Sequence, residues 1–119
     1  MTHTIKLVSV GSNPELLWLR EAVLKAEGYD VFSTSDIKQA AAEIGSGNFS
    51  VLLLCYSLPL LVRQQLANKF RKQNSHARVV VITNIRLEGP PVDADAFVYG
   101  FEGPEALIGA IRGDDHQPE

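Results

Sequence analysis

Val51-Leu52-Leu53-Leu54-Cys55 and, further along the chain, Val79-Val80-Val81-Ile82-Thr83 decide the fold. Neither run alternates apolar and polar side chains. A strand with one face in water must alternate, so strands apolar on both faces belong inside a parallel sheet covered by helices. Both are far shorter than the roughly 20 apolar residues needed to cross a bilayer. Working outward, residues 5–10 are rich in β-branched side chains and end at Gly11, residues 29–33 read as a second short strand, and residues 96–99 as a last one.

Helical stretches lie between these runs. Ser12-Asn13-Pro14-Glu15 is a helix start, with a capping side chain, proline in the first turn and an acid behind it. Leu16, Leu19, Val23 and Ala26 follow at helical spacing and predict a core-facing stripe, which Gly28 closes. Asp36 is placed to cap a second helix through Ala40, Ala41 and Ile44, ended by Gly45-Ser46-Gly47. Residues 60–72 carry Leu61, Leu66 and Phe70, and residues 104–112 carry Ala106, Leu107, Ala110 and Ile111. Strand–helix alternation throughout predicts a doubly wound α/β domain with a five-stranded parallel sheet. Five strands in so short a chain favour the flavodoxin-like order. The expected domain covers residues 1–112, with a flexible polar tail at 113–119.

Composition narrows the function. The 119 residues carry 11 basic against 14 acidic side chains, a net charge of −3 that argues against sequence-independent nucleic-acid binding. The one cysteine, Cys55, excludes a disulfide framework within the chain and fits a reducing compartment. No long apolar segment opens the sequence, so a cytoplasmic protein without a membrane span is expected. His3, His76 and His116 are scattered without metal-ligand spacing, so neither metal nor cofactor is expected. Arg63, Lys69, Arg71, Lys72 and Arg78 tint the third helix region basic and read as a solvated face.

In order and spacing the chain resembles the receiver domain of bacterial response regulators from Ile5 to about Arg112. Val10 to Pro14 stands where that family has "V-D-D-E-P", and Gly28-Tyr29-Asp30-Val31 resembles "G-Y-x-V". Residues 51–59, ending Cys55-Tyr56-Ser57-Leu58-Pro59, resemble "L-V-L-L-D-x-x-M-P". Val80-Val81-Ile82-Thr83-Asn84 resembles "V-I-x-L-T-A", Ala94-Asp95-Ala96-Phe97-Val98 resembles "A-D-D-Y-L", and Pro104-Glu105-Ala106-Leu107 the start of the last helix.

The resemblance implies a phosphorelay site at the carboxyl edge of the sheet, and the residues at its positions depart from it. The family's acidic pair, which holds Mg²⁺, falls on Gly11 and Ser12, with Asn13 after them. The phosphoacceptor aspartate falls on Cys55, and the lysine on Gly100, followed by Phe101 in place of proline. Only Thr83 keeps its type. A thiol is a soft ligand, unsuited to Mg²⁺ and unable to replace a carboxylate in acyl phosphate chemistry. A degenerate pseudo-receiver is therefore expected, not an enzyme: a signal-transduction module working through protein contacts, with a partner protein or a second copy. Thr83 and Phe97 fall on the family's hydroxyl–aromatic switch pair.

Residues 84–93 contain Gly89-Pro90-Pro91, and proline both lacks a donor and displaces its predecessor from helical geometry. The helix that receivers carry between their fourth and fifth strands is therefore expected to be lost or shortened. Trp18 lies about 200° around the first helix from Leu16, off the predicted stripe. With Ile85, Leu87, Tyr99 and Phe101 it is a candidate for contact with a partner. Two rival readings are a thiol redox sensor at Cys55, which has no arginine or lysine near it in sequence, and small-ligand binding at the sheet's carboxyl edge.

Overall fold

A computed structural model of the chain describes residues 5–74, 78–83, 94–99 and 103–113. Five strands and four helices follow one another along them: β1 (Lys6–Val10), α1 (Pro14–Ala26), β2 (Asp30–Thr34), α2 (Ile37–Gly45), β3 (Val51–Cys55), α3 (Leu60–Gln73), β4 (Arg78–Thr83), β5 (Ala96–Tyr99) and α4 (Pro104–Arg112). All strand pairs are parallel, in the order β2-β1-β3-β4-β5, as the doubly apolar runs require. β3 is buried along its whole length, and β4 along all but its first residue.

Each face of the sheet carries a core. On one side Val8, Val10, Leu52, Leu54, Val79 and Val81 meet Ala40 and Ile44 of α2 and Leu66, Ala67 and Phe70 of α3. On the other, Leu7, Val31, Leu53, Val80, Ile82 and Val98 meet Leu24 of α1 and Leu107, Ala110 and Ile111 of α4. Alternate residues of one strand serve opposite cores, which is the physical meaning of the unbroken apolar runs.

The helix ends follow their local chemistry. The Asn13 side chain accepts the amides of Glu15 and Leu16, and Asp36 those of Lys38 and Gln39. α1 ends in a Schellman turn: Tyr29 N–H donates to Leu24 C=O at 3.1 Å and Gly28 N–H to Lys25 C=O at 3.0 Å. Gly28 takes φ of +95°, a conformation that costs any residue with a Cβ. Gly113, assigned to the tail from sequence, is instead the C-cap of α4, donating to Gly109 C=O at 3.0 Å.

The sequence stripe on α1 was misplaced. Leu17 and Leu24 are the buried residues; Leu16 and Val23 are half-buried, and Leu19 and Ala26 are exposed. The helix carries apolar side chains nearly all the way round, so periodicity does not choose its inner face. On α3, likewise, Leu66, Ala67 and Phe70 are buried while Leu61 is exposed at the first turn. The expected loss of a helix between β4 and β5 concerns residues 84–93, which lie outside the described residues, as do His3, His76, His116 and 114–119. No helix among the described residues is long and apolar enough to cross a membrane.

Two of the basic residues near α3 and β4 serve the fold. Arg78 Nε donates to Ala110 C=O at 2.6 Å, and Arg71 pairs with Asp95 at 3.2 Å. Asp95 also accepts Val79 N–H at 2.7 Å while its own N–H donates to Val79 C=O at 2.8 Å, fixing where β5 joins the sheet. Asp95→Ala would leave the Val79 amide unpaired, so we expect it to cost about 1–3 kcal/mol in urea-induced unfolding.

Candidate functional site at the carboxyl edge

The strands end together at Val10, Thr34, Cys55, Thr83 and Tyr99. Strand order reverses between β1 and β3, and a doubly wound sheet opens its crevice where such a reversal occurs. Gly11, Ser12 and Cys55 all sit at that point. Their contacts define what this edge of the sheet can do.

Gly11 is pressed against β3. A Cβ built there would meet Cys55 Cβ at 3.0 Å, Leu17 Cδ2 at 3.4 Å and Ser57 Oγ at 3.4 Å. Ser12 closes the next position: its N–H donates to Ser57 Oγ at 2.9 Å and its hydroxyl to Ser57 C=O at 3.0 Å. This pair of bonds ties the β1–α1 turn to the β3–α3 turn. Neither contact was visible in sequence, because the serines are 45 positions apart.

Cys55 is 2% exposed and faces the α1 side of the sheet. Arg20 Nη1 donates to its sulfur at 3.0 Å. The absence of a nearby cation in sequence was thus misleading, since α1 supplies one from 35 positions away. The buried face of α1 explains the contact. Arg20 lies about 40° around the helix from Leu24 and about 60° from Leu17, so it shares the arc those two residues bury. A charged side chain on an inward arc needs a partner at its tip.

Thr83 is buried at the end of β4, opposite Tyr99 in register, and Phe97 is partly buried against the α2–α3 core. Thr83 and Phe97 lie on the same face of the sheet. Among the candidates for partner contact, Trp18 is 67% exposed and Tyr99 half-buried. Ile85, Leu87, Gly100 and Phe101 lie outside the described residues. Beside Trp18, the Lys25 ammonium at 3.0 Å from Glu21 holds that carboxyl below its ordinary pKa. The misassigned α1 stripe proves to line an open apolar groove of about 290 Å³, where Leu16, Leu19 and Val23 face Val98, Pro104 and Leu107.

The Mg²⁺ implied by the resemblance does not fit this donor set. Magnesium requires hard oxygen ligands in near-octahedral geometry. At the three positions that would supply them stand a glycine packed tightly against Cys55, a serine spent on Ser57, and a thiol capped by a guanidinium. Among the described residues, no group of three or more His, Cys, Asp or Glu converges to hold a metal.

No protein-family model matches the sequence, and no curated protein sequence matches it. Solved structures do. A CheY-like response regulator receiver domain protein from Methanospirillum hungatei superposes with a TM-score of 0.81 at 20% identity, over 94% of each chain. Chemotaxis protein CheY4 of Vibrio cholerae gives 0.81 at 18% identity, over 93% of this chain and 98% of that one. The receiver domain of sensor histidine kinase PA1611 from Pseudomonas aeruginosa, with a magnesium ion coordinated in its active-site cleft, gives 0.79 at 19% identity, over 93% and 97%. By strand order, extent and superposition, the fold of this chain is that of the response-regulator receiver domains.

Proposed function

We propose that this domain is a receiver-type signal-transduction module that works through protein–protein contacts without aspartyl phosphorylation. The observation that carries the reading is the phosphoacceptor position itself. Cys55 stands there, buried, with the Arg20 guanidinium on its sulfur. Closure of the turn above it by Gly11 and by the Ser12–Ser57 bonds supports the same conclusion. The domain then has no enzymatic step to perform. Its output is a surface, and α1 offers one, with Trp18 and Leu19 exposed beside the apolar groove. The partner in this reading is a protein of a bacterial cytoplasmic signalling pathway or a second copy of the chain, not nucleic acid or membrane.

A redox role for Cys55 is the second reading. The adjacent guanidinium favours it, because reactive thiols sit in electropositive surroundings. Burial to 2% opposes it by denying an oxidant access. The contact module therefore ranks first.

The test is a ¹⁵N amide spectrum with and without Mg²⁺ plus beryllium fluoride, which mimics an acyl phosphate. The expected result is no coordinated shift at Gly11, Ser12, Cys55 or Thr83. A saturable, stoichiometric shift of those amides together would restore a phosphorylation switch and overturn the proposal.

A further inference from the structure

We infer that Arg20 is the resident cation of this carboxyl edge, and that it shuts the site to divalent metal independently of the missing carboxylates. The inference rests on the phosphorylation-independent reading and adds a mechanism to it: absent acids leave a site weak, whereas a fixed positive charge makes it hostile. Arg20 leaves α1 on its inward arc and places its guanidinium on the Cys55 sulfur at the end of β3, and Gly11 packs against the same cysteine. Sulfur is a weak acceptor, so the bond to Cys55 satisfies little of a group with five donors and a permanent charge. The contact's main effect is positional. It fixes one positive charge where β1 and β3 diverge, the crevice in which a doubly wound sheet holds its ligands.

Restoring carboxylates would then not restore a metal site. An acid at position 55 would meet Arg20 at charge-assisted hydrogen-bond distance and pair with it. A divalent ion approaching the same oxygens would face a like charge a few ångströms away in a partly desolvated setting, which lowers its affinity by at least about tenfold.

The experiment compares the Ser12→Asp/Cys55→Asp protein with the same protein carrying Arg20→Met, which keeps the length of the apolar stem. Mg²⁺ alone is titrated, and the amides of Ser12, Tyr56 and Ser57 are followed. The variant retaining Arg20 is expected to bind Mg²⁺ at least about tenfold more weakly than the variant lacking it. Equal affinities, including no measurable binding by either, overturn the inference. If an acid at position 55 prevents folding, the same comparison is made on Ser12→Asp alone, at an exposed position. Saturable Mg²⁺ binding by the unmodified protein would be a separate result, overturning the reading of the site on which this inference rests.

Discussion

Gly11→Ala is expected to destabilise the domain by about 1–3 kcal/mol, the usual cost of forcing a methyl group into a packed interior. The sign makes the prediction sharp. Gly11 is not among the positive-φ glycines, so a Cβ would be compatible with its backbone. On backbone entropy alone, alanine would stabilise by about 0.4–1 kcal/mol. Steric contact opposes that gain. The new methyl would lie 3.0 Å from Cys55 Cβ, with Leu17 Cδ2 and Ser57 Oγ each at 3.4 Å, so three groups close on it at once. Cys55 cannot retreat easily, because it ends a fully buried strand paired on its far side with Ile82 of β4. Urea denaturation of both proteins measures the difference. A stabilised Gly11→Ala protein would mean that the β1–α1 turn stands off β3, leaving room for a metal-binding carboxylate at this position.

How much of this was legible in the sequence depends on the range of the interaction. β3 and β4 were readable because burial on both faces writes itself into consecutive residues. The caps at Asn13 and Asp36 were readable because a capping side chain acts on amides two and three positions away. The positions at the carboxyl edge came from the resemblance to receiver domains, and strand order brings the ends of β1 and β3 side by side there. Its contents did not follow. Arg20 meets Cys55 and Ser12 meets Ser57 only after the crossovers have packed, and nothing local in either segment encodes such a pairing. The inner face of α1 was lost for a different reason. Leu16, Leu17, Trp18, Leu19, Ala22, Val23 and Leu24 leave too little polar contrast around the helix for periodicity to choose a side.

That ambiguity is what Leu24→Ala and Leu19→Ala resolve. Leu24 is 0% exposed and packs in the core shared with α4, so its truncation is expected to cost about 2–5 kcal/mol. In a domain of this size that lowers the melting temperature by about 10–25 °C. Leu19 is 52% exposed, and alanine is the better helix former, so Leu19→Ala is expected to stay within about 0.5 kcal/mol of the parent protein. Thermal unfolding of the two variants orders them directly. The consequence reaches the proposed function, because a side chain that the fold does not need is available for a partner. If Leu19→Ala is silent in stability, any loss of binding it produces, alone or with Trp18→Ala, reports the contact surface itself. Comparable costs for the two leucines would mean that α1 is rotated on the sheet. Arg20 would turn away from Cys55 with it, so the same melts that test the docking face also test the cation at the site.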